Sequence, residues 1–391
     1  MTSSQTSASV DRYRVVIPTA FYVPAFLGGG PIQTLKALIE ESPENFDTKV
    51  ICANHDLGET APLVERPNEW HTVGRADVRY VQDGMRPLVD AFRATSDADV
   101  VYLNSLFNPT FSLLPLALRS LGWWKDADVL VAPRGELYPG ALAQKPRKKQ
   151  LFLRAFKALG LPKKVVWHAS TEDEAQQIRA LFGADSRIAV RENETSLPRA
   201  ATQRQAREQG PLRLVFASRL HPKKGLDILL TALAEVTEPV EVRIVGAFAD
   251  DEYEQICDAL VRELPENVSV RFCGGLPREE VLAEMRHADM MAFPTTGENF
   301  GHVIAEALSE SCPVMCSENT PWTETLTAGG GVAVAPNSPE AWTAELNGYA
   351  ARGAQAWADA TDAAGVAYDA WRNAPKGRHV FELVRQQSVR I

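Results

Sequence analysis

Short β-branched runs alternate with amphipathic helical stretches along almost the whole chain. This alternation constrains the fold more than any other feature. The runs read as strands at residues 13–20, 49–54, 78–82, 99–104, 128–134, 164–170 and 187–191 in the first half. In the second half they fall at 212–219, 240–247, 267–274, 288–294, 312–317 and 331–335. Helical patterns such as 226–236 and 281–288 fill the gaps. Strands alternating with helices predict parallel sheets with helices on both faces. The strands are too many for one ordinary doubly wound sheet. The pattern also pauses at 196–210, a polar stretch with Pro198 and three arginines that reads as a linker. An α/β chain of two Rossmann-like, doubly wound parallel-sheet domains is therefore expected. A TIM barrel comes second, because it requires eight regular repeats without interruption. Residues from Trp371 to Ile391 read as a terminal helix. Ligands of such sheets bind at loops that follow strands, so two such domains predict a central cleft at the carboxyl ends of both sheets.

Charge narrows the function classes. A net charge of −9 argues against nucleic-acid binding, which needs a basic footprint. The charge is uneven, however. Between Glu136 and Glu172 no acidic residue occurs, while Lys145, Arg147, Lys148, Lys149, Arg154, Lys157, Lys163 and Lys164 all do; this segment carries +8 and leaves −17 for the remainder. Residues 1–10 have neither the basic nor the apolar region of a signal peptide. No apolar run approaches the ~18–20 residues of a membrane span. Five scattered cysteines, with Cys312 and Cys316 in an apolar strand, read as free thiols of a cytoplasmic-type protein.

Three post-strand segments carry candidate chemistry. Gly28-Gly29-Gly30-Pro31 follows the first strand and precedes a helix. It is either a tight turn or an anion cradle at a helix N-terminus, and it is not the dinucleotide fingerprint. Arg219-Leu-His-Pro-Lys-Lys224-Gly225 follows the run at 212–218. Arg219 and Lys224 suit a developing negative charge, although a solvated basic loop is the plainer alternative. The third segment, Pro294-Thr-Thr-Gly297-Glu298-Asn299-Phe300-Gly301-His302 through Glu306 and Leu308, places a glycine-bracketed loop between a strand and a helix. Free N–H groups there can meet phosphate or sugar oxygens. Glu298 and Glu306, separated by roughly 12 Å of helix rise, can accept hydrogen bonds from sugar hydroxyls.

These segments together resemble the GT-B retaining glycosyltransferases of the family-4 type, the glycosyl transferases group 1. The Glu298-x7-Glu306 arrangement resembles that family's donor motif, Arg219 with Lys224-Gly225 its diphosphate pair, and Gly28–Gly30 its N-terminal glycine loop. Ala132-Pro-Arg134-Gly135, Ala141 to Lys145, and Thr320-Pro321-Trp322 resemble members that build surface polysaccharides. The resemblance implies that residues 1–198 form an acceptor-binding domain, with 372–391 crossing back onto it, and that 199–371 bind a nucleotide-sugar donor. Arg219 and Lys224 would hold and stabilise the leaving diphosphate. Glu298, with Asn299, Phe300 and Gly301, would bind the transferred sugar, and Glu306 the ribose. Gly274 and Leu276 would lie near the base, and Gly29 and Gly30 in the donor site. The leaving phosphate would deprotonate the acceptor on the same face.

The chain departs from the pattern at three places. Arg134 stands where many members carry a catalytic-site histidine, and is read as a site cation or else a structural arginine. Arg191-Glu-Asn-Glu194 replaces a usual Pro-Asn-Gly before the linker. Cys312 replaces a small residue before Pro313. Asp97-Ala-Asp99 and Asp126-Ala-Asp128 match the D-x-D pattern of metal-dependent transferases, but each precedes a strand as a turn-ending Asp commonly does. No metal or other cofactor is expected. His168 either lines the cleft or is a satisfied buried histidine. Ser170 or Thr171 with Glu174 reads as a capping box.

Read as a helix, the basic segment sets Arg147, Gln150, Arg154 and Lys157 on one side and Phe152, Phe156 and Leu159 on another. Arg147, Lys148 and Lys149 are the candidates for an anionic acceptor or the inner face of a membrane. The expected activity is transfer of a sugar from a nucleotide-sugar to a glycan or lipid-linked acceptor in surface polysaccharide or glycolipid biosynthesis. The alternatives are a catalytically silent scaffold that binds a sugar nucleotide or a partner subunit, and another GT-B enzyme such as an epimerase.

Overall fold

A computed structural model describes residues 12–143, 146–204 and 210–388. Lys145, the last residues of the terminal run and part of the expected linker lie outside them. The described chain forms two compact units, Met1–Ser196 with Lys376–Ile391, and Leu197–Pro375.

The first unit holds β1 (Tyr13–Pro18), β2 (Phe46–Ala53), β3 (Trp70–Val73), β4 (Ala76–Val81), β5 (Val100–Leu103), β6 (Asp128–Val131), β7 (Val166–Ala169) and β8 (Ile188–Val190), in the order β3-β4-β2-β1-β5-β6-β7-β8. All pair in parallel except β3, which pairs antiparallel with β4. The sequence reading missed β3, a four-residue edge strand with no buried residue to show a strand period. Alternate side chains of the sheet feed two cores. Val16, Ile51, Val101, Val131 and Trp167 face one layer. Val15, Ile17, Val50, Tyr102 and Leu130 face the other.

The second unit holds β9 (Leu212–Ala217), β10 (Val240–Val245), β11 (Val268–Gly274), β12 (Met290–Phe293), β13 (Val314–Ser317) and β14 (Gly331–Val334), all parallel, in the order β11-β10-β9-β12-β13-β14. Strand order thus reverses once in each sheet, between β1 and β5 and between β9 and β12. Such a reversal opens a crevice beyond the strand ends.

The polar stretch expected as the linker begins at the boundary between the two units, Ser196/Leu197, and its described part packs on the second unit: Leu197 and Ala201 are buried there, the Ala201 N–H donates to Asp369 at 2.7 Å, and Arg204 donates to the Ala288 carbonyl at 2.6 Å. One expectation needs correction, since 371–391 is not one helix. Helix Gly353–Asn373 ends at extended Ala374, as the residue before Pro375 prefers, and a separate helix spans Val380–Ser388.

That last helix inserts Val380, Phe381 and Val384 into the core of the first unit. A clasp holds the returning chain. Arg191 donates through Nε to Glu194 at 2.8 Å and through Nη1 to the carbonyls of Lys376 and Gly377. Lys376 also pairs with Glu194 at 3.6 Å, and His379 Nε2 donates to the Leu38 carbonyl at 3.0 Å. Removing one member of a buried ion pair costs ~3–5 kcal/mol, because the other charge is left uncompensated. Arg191→Met is therefore expected to speed amide hydrogen exchange in helix Val380–Ser388 by ~100-fold or more relative to the second unit. Unchanged protection of that helix would show that the clasp does not hold it.

Candidate functional site

In the second unit, backbone packing sets the site. Gly225 has φ +75°, and a Cβ there would lie 2.1 Å from the Pro294 carbonyl oxygen, so only glycine lets the loop after β9 lie against the end of β12. The loops are also bonded together. Lys223 O accepts the Thr296 N–H at 2.9 Å. The consequence is a half-buried contact: Lys224 Nζ donates to Glu298 Oε1 at 2.6 Å, and Thr295 Oγ1 donates to the same oxygen at 2.8 Å. Lys224 also lies 5.5 Å from the centre of the Phe293 ring. Arg219, on the same loop, is exposed and has no side-chain partner among the described residues.

Helix His302–Ser309 begins after Gly301, whose left-handed φ of 80° makes the turn. Ile304, Ala305, Ala307 and Leu308 bury one helix face, which leaves Glu306 half-buried. Arg278, which the sequence reading did not single out, donates to Glu306 at 3.0 Å. Burial nonetheless holds the Glu306 carboxyl above its ordinary range, against the pull of Arg278. Trp322 donates its indole N–H to the Phe300 carbonyl and packs on the Phe300 ring, fixing the loop. Gly274, at φ +69°, ends β11 and accepts the Gly246 N–H at 2.8 Å, while Leu276 packs on the core. Lys224 and Glu298 therefore meet, whereas Glu306 is held separately by Arg278. Asn299, Phe300 and Gly301 form the turn between Glu298 and the helix.

In the first unit, carboxylates hold the loops at the strand ends. Asp56 accepts the N–H groups of Phe26 (2.7 Å), Leu27 (3.1 Å) and Leu57 (2.7 Å). Burial alone would raise its carboxyl, but these bonds and one from Gly28 outweigh it, and the group lies below its ordinary range. The Gly29 N–H donates to Phe26 O at 3.0 Å, and Gly29 (φ +68°) caps helix Gly30–Glu40. The glycine loop is thus a turn whose preceding amides are already committed to an internal anion. Glu136 accepts from Ser105 Oγ (2.7 Å) and the N–H groups of Leu106 (2.6 Å) and Phe107 (3.3 Å), and its burial raises its carboxyl despite these bonds. Glu174 accepts the Gly135 N–H at 2.7 Å and the Ser170 N–H at 2.8 Å. Thr171 is the cap of that helix, but Glu174 does not return the bond to it as a capping box would.

Arg134 sits at φ +54°, a strained value for a residue with a side chain. It donates to Asn104 Oδ1 at 2.9 Å, to Asn193 Oδ1, and to the Tyr102 hydroxyl at 2.6 Å. Tyr102 OH lies 2.9 Å from His168 Nδ1, and His168 Nε2 lies 2.9 Å from the Arg191 carbonyl. A carbonyl only accepts, so Nε2 carries the proton and Nδ1 accepts from Tyr102. His168 is therefore a buried, satisfied, neutral histidine. Burial and the Arg134 charge push its pKa well below the ordinary 6.5.

The basic segment divides. Arg147 and Lys148 are exposed on helix Pro146–Ala158, but Lys149 is not part of a free basic face: it donates to Ala141 O at 2.7 Å and lies over the Phe107 ring. The buried face is Leu153 and Phe156; Leu151 and Leu159 are exposed, so the expected apolar stripe is displaced at Leu159. The second carboxylate of each Asp-x-Asp pattern is engaged within the fold, Asp99 with the first strand and Asp128 with the last helix. Asp99 accepts the Arg14 N–H at 2.8 Å, and Asp128 accepts from Arg385 at 3.2 Å.

The sequence reading missed Asp56, Glu136, Thr295, Asn104 and Asn193. Asp56 and Thr295 follow strands and could have been found by position. Asn193 and Arg278 reach their partners only through tertiary packing.

His168 and His379 are both held neutral, with His379 lowered to about 4 by burial. The unfolded chain then binds more protons than the folded one, so stability rises with pH. Thermal stability is expected to fall as pH drops from 6.5 toward 4, by up to ~1.4 kcal/mol per pH unit for each group, and His168→Gln should flatten that slope. An unchanged slope would contradict the neutral assignment.

Residues 199–351 match the family model described as glycosyl transferases group 1. A D-inositol 3-phosphate glycosyltransferase of Nocardia farcinica is 31% identical over 166 residues, 38% of this chain and 37% of that protein. One of Corynebacterium efficiens is 34% identical over 127 residues, 30% of each chain. This chain thus spans little more than a third of the curated relatives it matches. Among solved structures, Anabaena HepE in complex with UDP and glucose has a TM-score of 0.69 at 17% identity, covering 97% of this chain and 99% of that one. WaaG, a glycosyltransferase involved in lipopolysaccharide biosynthesis, has a TM-score of 0.64 at 14% identity, covering 96% and 99%. The two parallel-sheet units share the GT-B fold of these neighbours.

Proposed function

From the match of residues 199–351 to the group 1 glycosyl transferases, we propose that the chain moves a sugar from a nucleotide-sugar donor to a glycan or lipid-linked acceptor, with retention of configuration and without a metal. The observation that carries this reading is the Lys224–Glu298 contact at the strand-order reversal of the second sheet. Lys224, with the unpartnered Arg219 on the same loop, supplies positive charge for a leaving diphosphate. Glu298 and the turn through Asn299, Phe300 and Gly301 take the transferred sugar, and Glu306 takes the ribose. The bond from the anomeric carbon to the diphosphate breaks. The departing phosphate oxygen accepts the proton of the acceptor hydroxyl, whose oxygen forms the new bond on the same face. The UDP and glucose in the HepE structure favour a uridine nucleotide. The curated relatives are named for D-inositol 3-phosphate and the WaaG neighbour for lipopolysaccharide biosynthesis; a surface polysaccharide or glycolipid product follows the second. Arg134 acts here as a positioning residue, because its bonds run to Asn104, Asn193 and Tyr102.

A panel of UDP-, GDP-, ADP- and TDP-sugars tests the donor by thermal shift, since a ligand at 100 times its Kd adds ~2.7 kcal/mol. With the stabilising donor, Lys224→Ala and Glu298→Ala are each expected to cut the slow release of nucleoside diphosphate by ~100-fold. Turnover at the parent rate in both variants would refute the site.

Membrane contact is the second part of the proposal. Arg147 and Lys148 are exposed on the same helix as Leu151, which is 70% exposed. Among the described residues no helix is long and apolar enough to cross a membrane, and the contact proposed here is a peripheral one through Arg147 and Lys148. Co-sedimentation with vesicles rich in anionic lipid should weaken with salt and drop several-fold in Arg147→Glu/Lys148→Glu. Equal binding to neutral vesicles would count against it.

A further inference from the structure

The strand-order reversal of the first sheet holds a cavity of about 180 Å³, small beside the ~300–1,000 Å³ of sites for drug-sized ligands and sized for a single ring. It lies between the segment after β1 and the segment after β5. Thr19, Asn104, Asn108 and Ser112 line it together with Phe21 and Phe111; the Asn104 and Asn108 side-chain oxygens accept from Arg134 and from the Thr110 and Phe111 N–H groups, which leaves the two amide NH2 groups and the Ser112 hydroxyl as the polar groups toward a ligand. Among the described residues no charged side chain lines it. The neighbouring loop amides that could cradle an anion are already committed: those of Phe26 and Leu27 donate to Asp56, and those of Leu106 and Phe107 to Glu136. An incoming phosphate would meet two fixed carboxylates in competition for the same donors. Hydroxyl, amide and aromatic surfaces are instead the groups that recognise an uncharged polyol ring.

One carboxylate also builds a rim. By bonding the amides of Phe26, Leu27 and Leu57, Asp56 gathers three apolar side chains that are 70%, 47% and 47% exposed. Leu57 lines the cavity, and Phe26 and Leu27 lead directly into Gly28, which lines it too. Large apolar groups held in the open by a buried charge, and continuous with a polar cavity, fit an apolar ligand tail.

We propose that this cavity binds the acceptor as an uncharged sugar ring with an apolar aglycone, the ring between Asn104, Asn108 and Phe111 and the aglycone over Phe26, Leu27 and Leu57. The proposal rests on the transferase reading and narrows its acceptor. It sets this chain apart from relatives named for a phosphorylated inositol. The reaction that supplies the acceptor is accordingly one that has already joined a sugar to an apolar alcohol or lipid and left no charge on that sugar.

The test uses the full chain without donor. Methyl and octyl glycosides of glucose, galactose and mannose, the octyl forms below their micelle concentrations, are titrated beside myo-inositol 1-phosphate and glucose 6-phosphate. At least one octyl glycoside should bind tenfold or more tighter than its methyl partner, and tighter than either phosphate. The gain should shrink to threefold or less in Phe26→Ser and in Leu57→Ser, both at exposed positions where truncation leaves the core intact. Ser112→Leu, which fills the cavity, should abolish binding of both glycosides while the melting temperature stays within a few degrees. Tighter binding of a phosphate, no dependence on the alkyl chain, or binding that survives Ser112→Leu would each overturn the proposal. So would silence of the whole panel in samples that bind UDP. Samples that bind no nucleotide would overturn the transferase reading first, and the inference with it.

Discussion

The single reversal of strand order in each parallel sheet is the constraint on which the remaining features depend. Between β1 and β5, and again between β9 and β12, neighbouring crossovers depart to opposite faces. The loops on either side cannot fill the space beyond the strand ends. Each singled-out segment of the second unit that meets its partner does so at that place. The loop after β9 brings Lys224, the loop after β12 brings Glu298, and Gly225 permits the approach of the two backbones. The cavity of the first unit sits at the equivalent position.

The two units solve the same loop problem differently. In the second, a cation and a carboxylate are left beside one another at a partly open position, with an exposed arginine nearby. In the first, carboxylates are turned inward onto backbone amides: Asp56, Glu136 and Glu174 fix the segments after β1, β5 and β6. A carboxylate that accepts two or three N–H bonds holds a loop more rigidly than side-chain packing alone, and it removes those amides from service to a ligand. The resulting surfaces differ in kind, one charged and one neutral.

The architecture was legible because its evidence is local and periodic. A buried parallel strand reads as a β-branched run, and the runs at 13–20, 212–219 and 240–247 sit on the strands found there. The glycine-bracketed loop at 297–301 was legible for a similar reason, since a left-handed turn restricts the residue types that can occupy it. Arg134 shows where such reading stops. The family resemblance left it either a site cation or a structural arginine, and the hydrogen bonds it makes run to Asn104, Tyr102 and Asn193, which are distant in sequence. Lys149 belongs to the same class. As a letter in a basic run it resembles Lys148, yet its ammonium caps the Ala141 carbonyl. The polar stretch at 196–204 is the complementary case: its composition marked the boundary between the units, but Arg204 and the Ala201 amide are satisfied by a surface that composition does not reveal.

The clasp around Arg191 makes the first unit discontinuous in sequence, with the second inserted between its body and its last helix. During synthesis on the ribosome, residues 197–375 emerge in one piece and can complete their own sheet while the first unit still lacks Val380, Phe381 and Val384 from its core. The inserted unit therefore has every contact it needs before its host does. The order of emergence from the ribosome is the reverse of the order in which the two units can be finished.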